Sequence, residues 1–491
     1  MALTASFPLH ASELSKEAQE AALYAHQEYT RSVIETLANL VSFPTVHEEG
    51  KQNRDLKAVK EMSRYLAKKA EGLGLEFKDY GDVAVISLGN QKERLGLITH
   101  GDVQPADSVK WPKGAFVLDT TSEPGKLIGR GAEDDKGSIA LALYAMKAIK
   151  DQKIPLKRRV ELFVSYTEES DWEPLQKFLE KNPPPQLNVG FDAEYPVVVA
   201  QKGWCSVTLH WDNIFTPPSS VPYLSSFTGG FFMSQVPEDA EVVIPHATPT
   251  LENSLKDLST VDSQVRFSFE REGETLKIKA RGKAAHSSEP QNGVNAITHL
   301  AELLAKVKWP VTPASQVVRY IHDLIGTGFY AEKFGGIAYK DPFMGPMTLS
   351  LSMVTEKGGK LSVAINLRRP SGKDKAVLEK EITDTVENWK KKNGVQANLE
   401  LRVSDPHNQL DAPQVPALLG IFQHFTNEKN PKPISSGGGT HARLFPHGVD
   451  FGPAMPSVPY TGHTEHEFLT QNQLELNLKM YTAMIATLGN M

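Results

Sequence analysis

Apolar positions recur along the chain in two periods, and the period changes twice. Through the first two hundred residues, helical spacing alternates with short apolar runs. Residues 15–40 and 54–70 repeat apolar side chains three and four apart, and the second stretch ends near Gly72 and Gly74. Runs at 83–89, 95–100, 160–167 and 187–194 read as buried strands, and SIALALYAMKAIK at 138–150 reads as a long helix between two of them. Strands alternating with helices predict an α/β domain, a mostly parallel sheet covered by helices.

A period of two then takes over. Residues 264–282 predict a hairpin in which Val265, Phe267 and Phe269 face Leu276, Ile278 and Ala280. A helix follows at 294–308, then a second hairpin at 347–368 that turns at Gly358-Gly359. Hairpin, helix, hairpin is an α+β layer rather than a continued βαβ series. After Pro370-Ser371-Gly372 the helix–strand alternation returns. Leu378, Ile382, Val386 and Trp389 make a helical stripe, residues 395–403 alternate as a strand, and helices fit 414–427 and 472–488. The expected organisation is a discontinuous catalytic domain, residues 1–202 and 372–491, carrying an inserted α+β lid domain at 203–371. Hinges are expected at Lys202-Gly203 and Ser371-Gly372.

Composition narrows the partners. The 491-residue chain is 40% hydrophobic and 23% charged, with a formal charge of −6, so neither nucleic acid nor an anionic membrane is an expected partner. Its single cysteine, Cys205, excludes an intrachain disulfide and fits a reducing compartment. The N-terminus lacks a basic n-region and a continuous apolar h-region, and no stretch is long enough to span a bilayer. A soluble, cytoplasmic protein is expected, with a periplasmic one left open. SGK at 371–373 lacks the glycine-rich lead of a phosphate loop, and GRGAEDDKG at 129–137 lacks the dinucleotide fingerprint.

The candidate chemistry lies where strands stop. Glu168 and Glu169 end the run VELFVSYTEES. Ligands of open α/β sheets bind outside the carboxyl ends of the strands. Adjacent residues in extended chain point opposite ways, so one acid could hold a metal while the other handles a proton. Taken alone, the pair reads more readily as a helix N-terminus, where acids are favoured. Four other sites stand at comparable positions: His100 with Asp102 after LGLIT, Asp134 in GRGAEDDKG, Asp192 after LNVGF, and His463 in GHTEHEF. Asp134 or Asp135 could simply cap a helix. Jointly, nitrogen and carboxylate donors without thiolate suit Zn²⁺ or Mn²⁺. Five ligands exceed the need of one catalytic zinc and suit two ions that share a bridging carboxylate.

HGDV, GRGAEDDKG, TEES, DAEYP, GKAAHSSEPQNGVNA, NLRRP and GHTEHE occur in the order found in the dinuclear-zinc metallopeptidases that include aminoacylases, carboxypeptidase G and dipeptidases. The chain resembles this family over nearly its whole length. HDLIGTG, EPQNGVNA and GGGTHAR are most similar to the PepV-type dipeptidases, relatives of the carnosinases. The resemblance implies two zinc ions, one on His100 and Asp192, the other on Glu169 and His463, with Asp134 bridging. It implies that Asp102 bonds the far nitrogen of His100 and that Glu168 is general base, then general acid, for a water between the metals. It places His286 at the oxyanion, and Arg368, with Arg369 as its rival, at the substrate's C-terminal carboxylate. The backbone at Gly438, Gly439 and Thr440 could hold the same carboxylate.

Two positions depart from the pattern. Ser234 stands where the family often has asparagine, which puts in doubt an oxyanion contact from that loop. His441 stands where relatives vary, and either tunes specificity or caps a helix. The implied activity is hydrolysis of dipeptides with a free C-terminus. The alternatives are an N-acyl-amino-acid amidohydrolase with the same metal pair and a non-catalytic binding protein that keeps the fold. PepV-type relatives favour a monomer, and the carnosinase-like dimers keep the assembly open.

Overall fold

The strand runs of the first half line up in one nine-stranded sheet. In the computed structural model, which describes residues 13–262 and 264–491, its centre is Arg158–Ser165, Glu93–His100, Leu187–Gly190 and Val449–Asp450, all mutually parallel. The first twelve residues, read above for a leader, lie outside the described residues. The sheet is mixed rather than mostly parallel. Glu76–Asp79 and Val83–Leu88 add an antiparallel ribbon at one edge, and Val198–Gln201 and His407–Asn408 run antiparallel at the other. A short connection makes the first pair a hairpin, whereas the central strands need helical crossovers.

Helices Lys16–Val41, Lys136–Asp151 and Gln471–Leu488 pack together and join the sheet in one apolar core. Local signals place their ends. The Ser15 hydroxyl accepts from the Ala18 amide, and Thr470 closes a capping box with Gln473. Gly74 stops the helix Lys57–Leu73 in the left-handed conformation, φ 66°, as the glycines there predicted. Asp135 stands before Lys136–Asp151 yet makes no capping hydrogen bond with its side chain. Glu168 and Glu169 lie in a turn, and the next helix, Glu173–Lys181, starts after them. The helix-end readings of these acids therefore do not explain them. Nor does strand alternation separate the two glutamates, because the chain has left the strand by Ser165.

By contact, the chain divides into two compact units, residues 1–201 with 407–491, and residues 202–406. The second unit is built on an eight-stranded antiparallel sheet. Both expected hairpins are in it. Phe267 pairs with Ala280 and Phe269 with Ile278, while Gly358 and Gly359, at φ 60° and 74°, make the turn between Thr348–Lys357 and Lys360–Arg369. The expected boundary at 371–372 is displaced to 406–407. Lys375–Asn393 packs Leu378, Ile382, Val386 and Trp389 into the second core, and Asn398–Val403 pairs with Gly203–Asp212. A helix followed by an alternating strand fits either unit by pattern, and pairing with the far edge of the antiparallel sheet decided it. The hinge expected at Ser371-Gly372 thus falls inside the second unit. No helix among the described residues is long and apolar enough to cross a membrane.

Candidate functional site

Three parallel strands of the first unit end at one edge and deliver acids and a histidine there. His100 is the last residue of its strand, Asp192 follows Leu187–Gly190, and Glu168 and Glu169 follow Arg158–Ser165. Asp134 arrives from the turn before helix Lys136–Asp151. His463 comes from the loop after residue 454 and sits in the left-handed region at φ 64°, an uncommon conformation for a side-chain-bearing residue.

These side chains converge in two groups that share Asp134. In one, His100 Nε2 lies 2.9 Å from Asp134 Oδ1 and 3.8 Å from Asp192 Oδ2. In the other, His463 Nε2 lies 3.1 Å from Asp134 Oδ2 and 2.9 Å from Glu169 Oε1. Within each group the donor atoms all lie within 4.8 Å of one another. The two oxygens of Asp134 therefore face different histidines. All five donors that the sequence singled out for metal are together here.

The electrostatics are those of a site short of positive charge. Burial, and then the Asp134 charge, push Asp192 up to about 6. Burial and the Asp192 charge hold Glu168 well above the usual carboxylate range. Burial disfavours charge on His100, yet its hydrogen bonds to Asp102, Asp134 and Asp192 raise its pKa well above normal. His463 is raised likewise, its Glu169 and Asp134 partners outweighing burial. Burying this many acids in one place is costly without a compensating cation. Two neutral imidazoles and three carboxylates are a donor set suited to Zn²⁺ or Mn²⁺, so the residues fit divalent ions.

Supporting contacts fix the donors. His100 Nδ1 meets the main-chain carbonyl of Asp102 at 2.9 Å, which turns the bare Nε2 toward the carboxylates. The expected bond of Asp102 to the far nitrogen is thus made by its carbonyl, while its carboxylate, 3.5 Å from Nδ1, accepts the amides of Glu168 and Glu169, at 3.1 and 3.0 Å. Asp102 thus shapes the glutamate turn and orients His100 through its backbone. Glu169 Oε2 accepts from Gln104 at 2.8 Å. Glu168 differs, since among the described residues its carboxylate has no hydrogen-bond donor, while its carbonyl accepts from Trp172 Nε1 at 2.7 Å.

Several contributors escaped the sequence reading. Glu467, fully buried and paired with Arg130 at 2.9 Å, accepts the amides of Gly131, Glu133 and Asp134. Tyr460 donates to Asp134 Oδ2 at 2.7 Å, and Glu133 accepts from both the amide and hydroxyl of Thr461. Glu467 lies within GHTEHEF, but nothing in a single sequence tells a loop-bracing acid from a surface one. The Gly438 and Thr440 amides, expected at a substrate carboxylate, are taken by Ser436 Oγ and Gln201 Oε1. Of the three, the Gly439 amide alone has no partner among the described residues.

The second unit carries its own polar cluster. His286 Nδ1 is 2.5 Å from the Ser288 hydroxyl and accepts from the Ser288 amide at 3.3 Å, which leaves the ring proton on Nε2. Asn366 links three segments: its amide donates to Ser287 Oγ and the Met233 carbonyl, and its oxygen accepts from Arg368 Nε at 3.0 Å. Arg369 is committed elsewhere, to Asp405 and the carbonyls of Ser404 and Lys373. Arg368 and Arg369 thus differ in the partners they hold. Both are buried, so inside against outside did not distinguish them.

Residues 96–487 match the pattern of peptidase family M20/M25/M40. The chain belongs to that family. It is 29% identical to the beta-Ala-Xaa dipeptidase of Lactobacillus delbrueckii subsp. lactis over 433 residues, 86% of this chain and 88% of that one. It is 30% identical to a putative dipeptidase of Bacillus subtilis over 415 residues, 82% of this chain and 85% of that one. Its fold is shared with human carnosine dipeptidase 1, at a TM-score of 0.62 and 15% identity over 97% of this chain and 99% of that one. The M20 chain is therefore a hydrolase of a peptidase family, as the ordered motifs implied.

Proposed function

We propose that this M20 enzyme is a metal-dependent dipeptidase that cleaves dipeptides with a free C-terminal carboxylate. One observation carries the reading: two donor groups share Asp134, with an unpaired, charge-averse carboxylate, Glu168, beside them. The similarity to two dipeptidases over more than four-fifths of the chain supplies the substrate class.

His100, Asp134 and Asp192 would hold one divalent ion, and Asp134, Glu169 and His463 the other. Such ions, Zn²⁺ or Mn²⁺, supply Lewis acidity that polarises a scissile carbonyl and makes a water easier to deprotonate. Glu168 takes the proton of the attacking water and returns it to the leaving amine. An acid whose pKa burial raises well above the usual carboxylate range can do both. Asp102 keeps Glu168 and Glu169 on their separate tasks by holding both amides of the turn. His286 donates through Nε2–H to the developing oxyanion, and Arg368 pairs with the substrate carboxylate.

Release of product from Ala–Ala and from N-acetyl-alanine by the purified, metal-loaded enzyme tests the reading. The dipeptide should be strongly preferred. Preference for the acetylated compound would replace this reading with an amidohydrolase. Ion content by mass spectrometry should reach two per chain.

A further inference from the structure

Asn366 lies in the strand Lys360–Arg369, between Ile365 and Leu367 of the second core, and it is fully buried. An amide at this place is unfavourable twice over. Asparagine is depleted in strands, and burying an amide costs free energy unless its hydrogen bonds to water are replaced. Asn366 replaces them with three partners. It donates to the Met233 carbonyl at 3.1 Å and to Ser287 Oγ at 3.0 Å, and it accepts from Arg368 Nε at 3.0 Å. These partners also decide which way the amide points. A carbonyl only accepts and a guanidinium only donates, so the nitrogen must face Met233 and the oxygen Arg368.

Two of the three bonds end on site candidates of the second unit: Arg368 itself, and Ser287, which follows His286. The backbone around His286 is anchored on both sides. The Ser287 amide donates to the Ser234 carbonyl at 2.9 Å, and Gln235 stands in register with His286. The Ser288 carbonyl accepts from Thr348 Oγ1 at 3.2 Å. Asn366 is the side chain that joins this anchored segment to Arg368. A guanidinium is planar, so a bond at Nε sets the plane in which its other N–H groups lie. An apolar side chain would suit the same depth with no partners to satisfy, so the fold alone does not call for this amide.

We propose that Asn366 is a positioning residue that holds the Arg368 plane and the His286 segment in one fixed relation, so that carboxylate binding and oxyanion stabilisation are set together. The inference rests on the roles given to Arg368 and His286 in the dipeptidase reading.

The test is a cycle between Asn366 and Arg368, with Ser287→Ala beside it. Metal-loaded wild type, Asn366→Ala, Arg368→Ala, the double variant and Ser287→Ala are assayed on Ala–Ala. Asn366→Ala should raise KM roughly tenfold or more and lower kcat as well. In the Arg368→Ala background the same change should move KM by less than about twofold, because the group it orients is gone. Ser287→Ala cuts only the link to the His286 segment, so kcat should fall roughly threefold or more while KM holds. A general loosening of the core would neither distinguish the two backgrounds nor separate kcat from KM. Unchanged KM in Asn366→Ala, KM effects that multiply in the double variant, or unchanged kcat in Ser287→Ala would each overturn the inference. Ser287→Ala decides by itself if the Asn366 variants do not fold. A wild type that prefers N-acetyl-alanine would instead overturn the dipeptidase reading, and the cycle is then read on that compound, which keeps the carboxylate.

Discussion

The two units solve opposite electrostatic problems with similar backbone means. In the first, strand ends and loops gather carboxylates around two imidazoles, and the acids outnumber nearby cations. In the second, Asn366 bonds Ser287 and Arg368, and Ser288 bonds His286 Nδ1. Lys202 is buried there too, donating to the Pro346 carbonyl at 2.6 Å, its pKa lowered by burial despite the Glu289 charge.

The comparison breaks most completely at Asp134. Asp134→Ala removes a donor from both groups, and turnover should fall by at least about 10³-fold with loss of bound metal, read by steady-state assay and elemental analysis. Retained stoichiometric metal would refute the shared-donor assignment. Glu168→Gln should lower kcat by roughly 10²–10⁴-fold while both ions stay bound. A variant that loses metal instead would move Glu168 from proton transfer to ligation. Glu467→Gln loosens the turn that presents Asp134, and metal affinity should weaken about 10–100-fold by competition with a chelator. Arg368→Ala tests the second unit: KM for Ala–Ala should rise roughly 10–100-fold, with a smaller change in kcat. An effect confined to kcat would speak against a carboxylate contact.

The smallest expected effect concerns stability. Asp450 is pushed up to about 8 by burial and the Asp192 charge. Unfolded, it titrates near ~3.9. Between those values the folded chain keeps a proton that the unfolded chain releases, so this acid's contribution falls as pH rises from about 4 to 8. Asp450→Asn should match wild type near pH 4 and exceed it increasingly toward pH 8, seen in denaturation curves at the two pH values. Parallel curves would show that the carboxyl is ionised at neutral pH.

Much of the first unit's site was legible because strand ends, short motifs and their order all converge on it. His100, Asp134, Glu169, Asp192 and His463 each follow an apolar run or a glycine turn, and the fold brings them together. What the sequence could not show was which atoms meet. Asp102 reaches His100 through its carbonyl and spends its carboxylate on two amides, a choice made by the turn at residues 167–170. Glu467 and Tyr460 brace Asp134 from more than three hundred residues away, so no local pattern announces them. The displaced boundary has the same origin. Leu399 pairs with Leu209 and Val403 with Cys205, contacts that only the folded sheet reveals.

Those pairings have a consequence for modularity. Gln201 is in register with His407 in one sheet, and Cys205 with Val403 in the other. Each unit therefore has the two cut ends of its chain side by side, like the base of a hairpin. A short turn joining Gln201 to His407 would reseal the first unit, and residues 202–406 form a single uninterrupted stretch of chain. In architectural terms the second unit is cargo carried on a hairpin loop, a form in which a whole domain can be gained, exchanged or lost without re-threading its host.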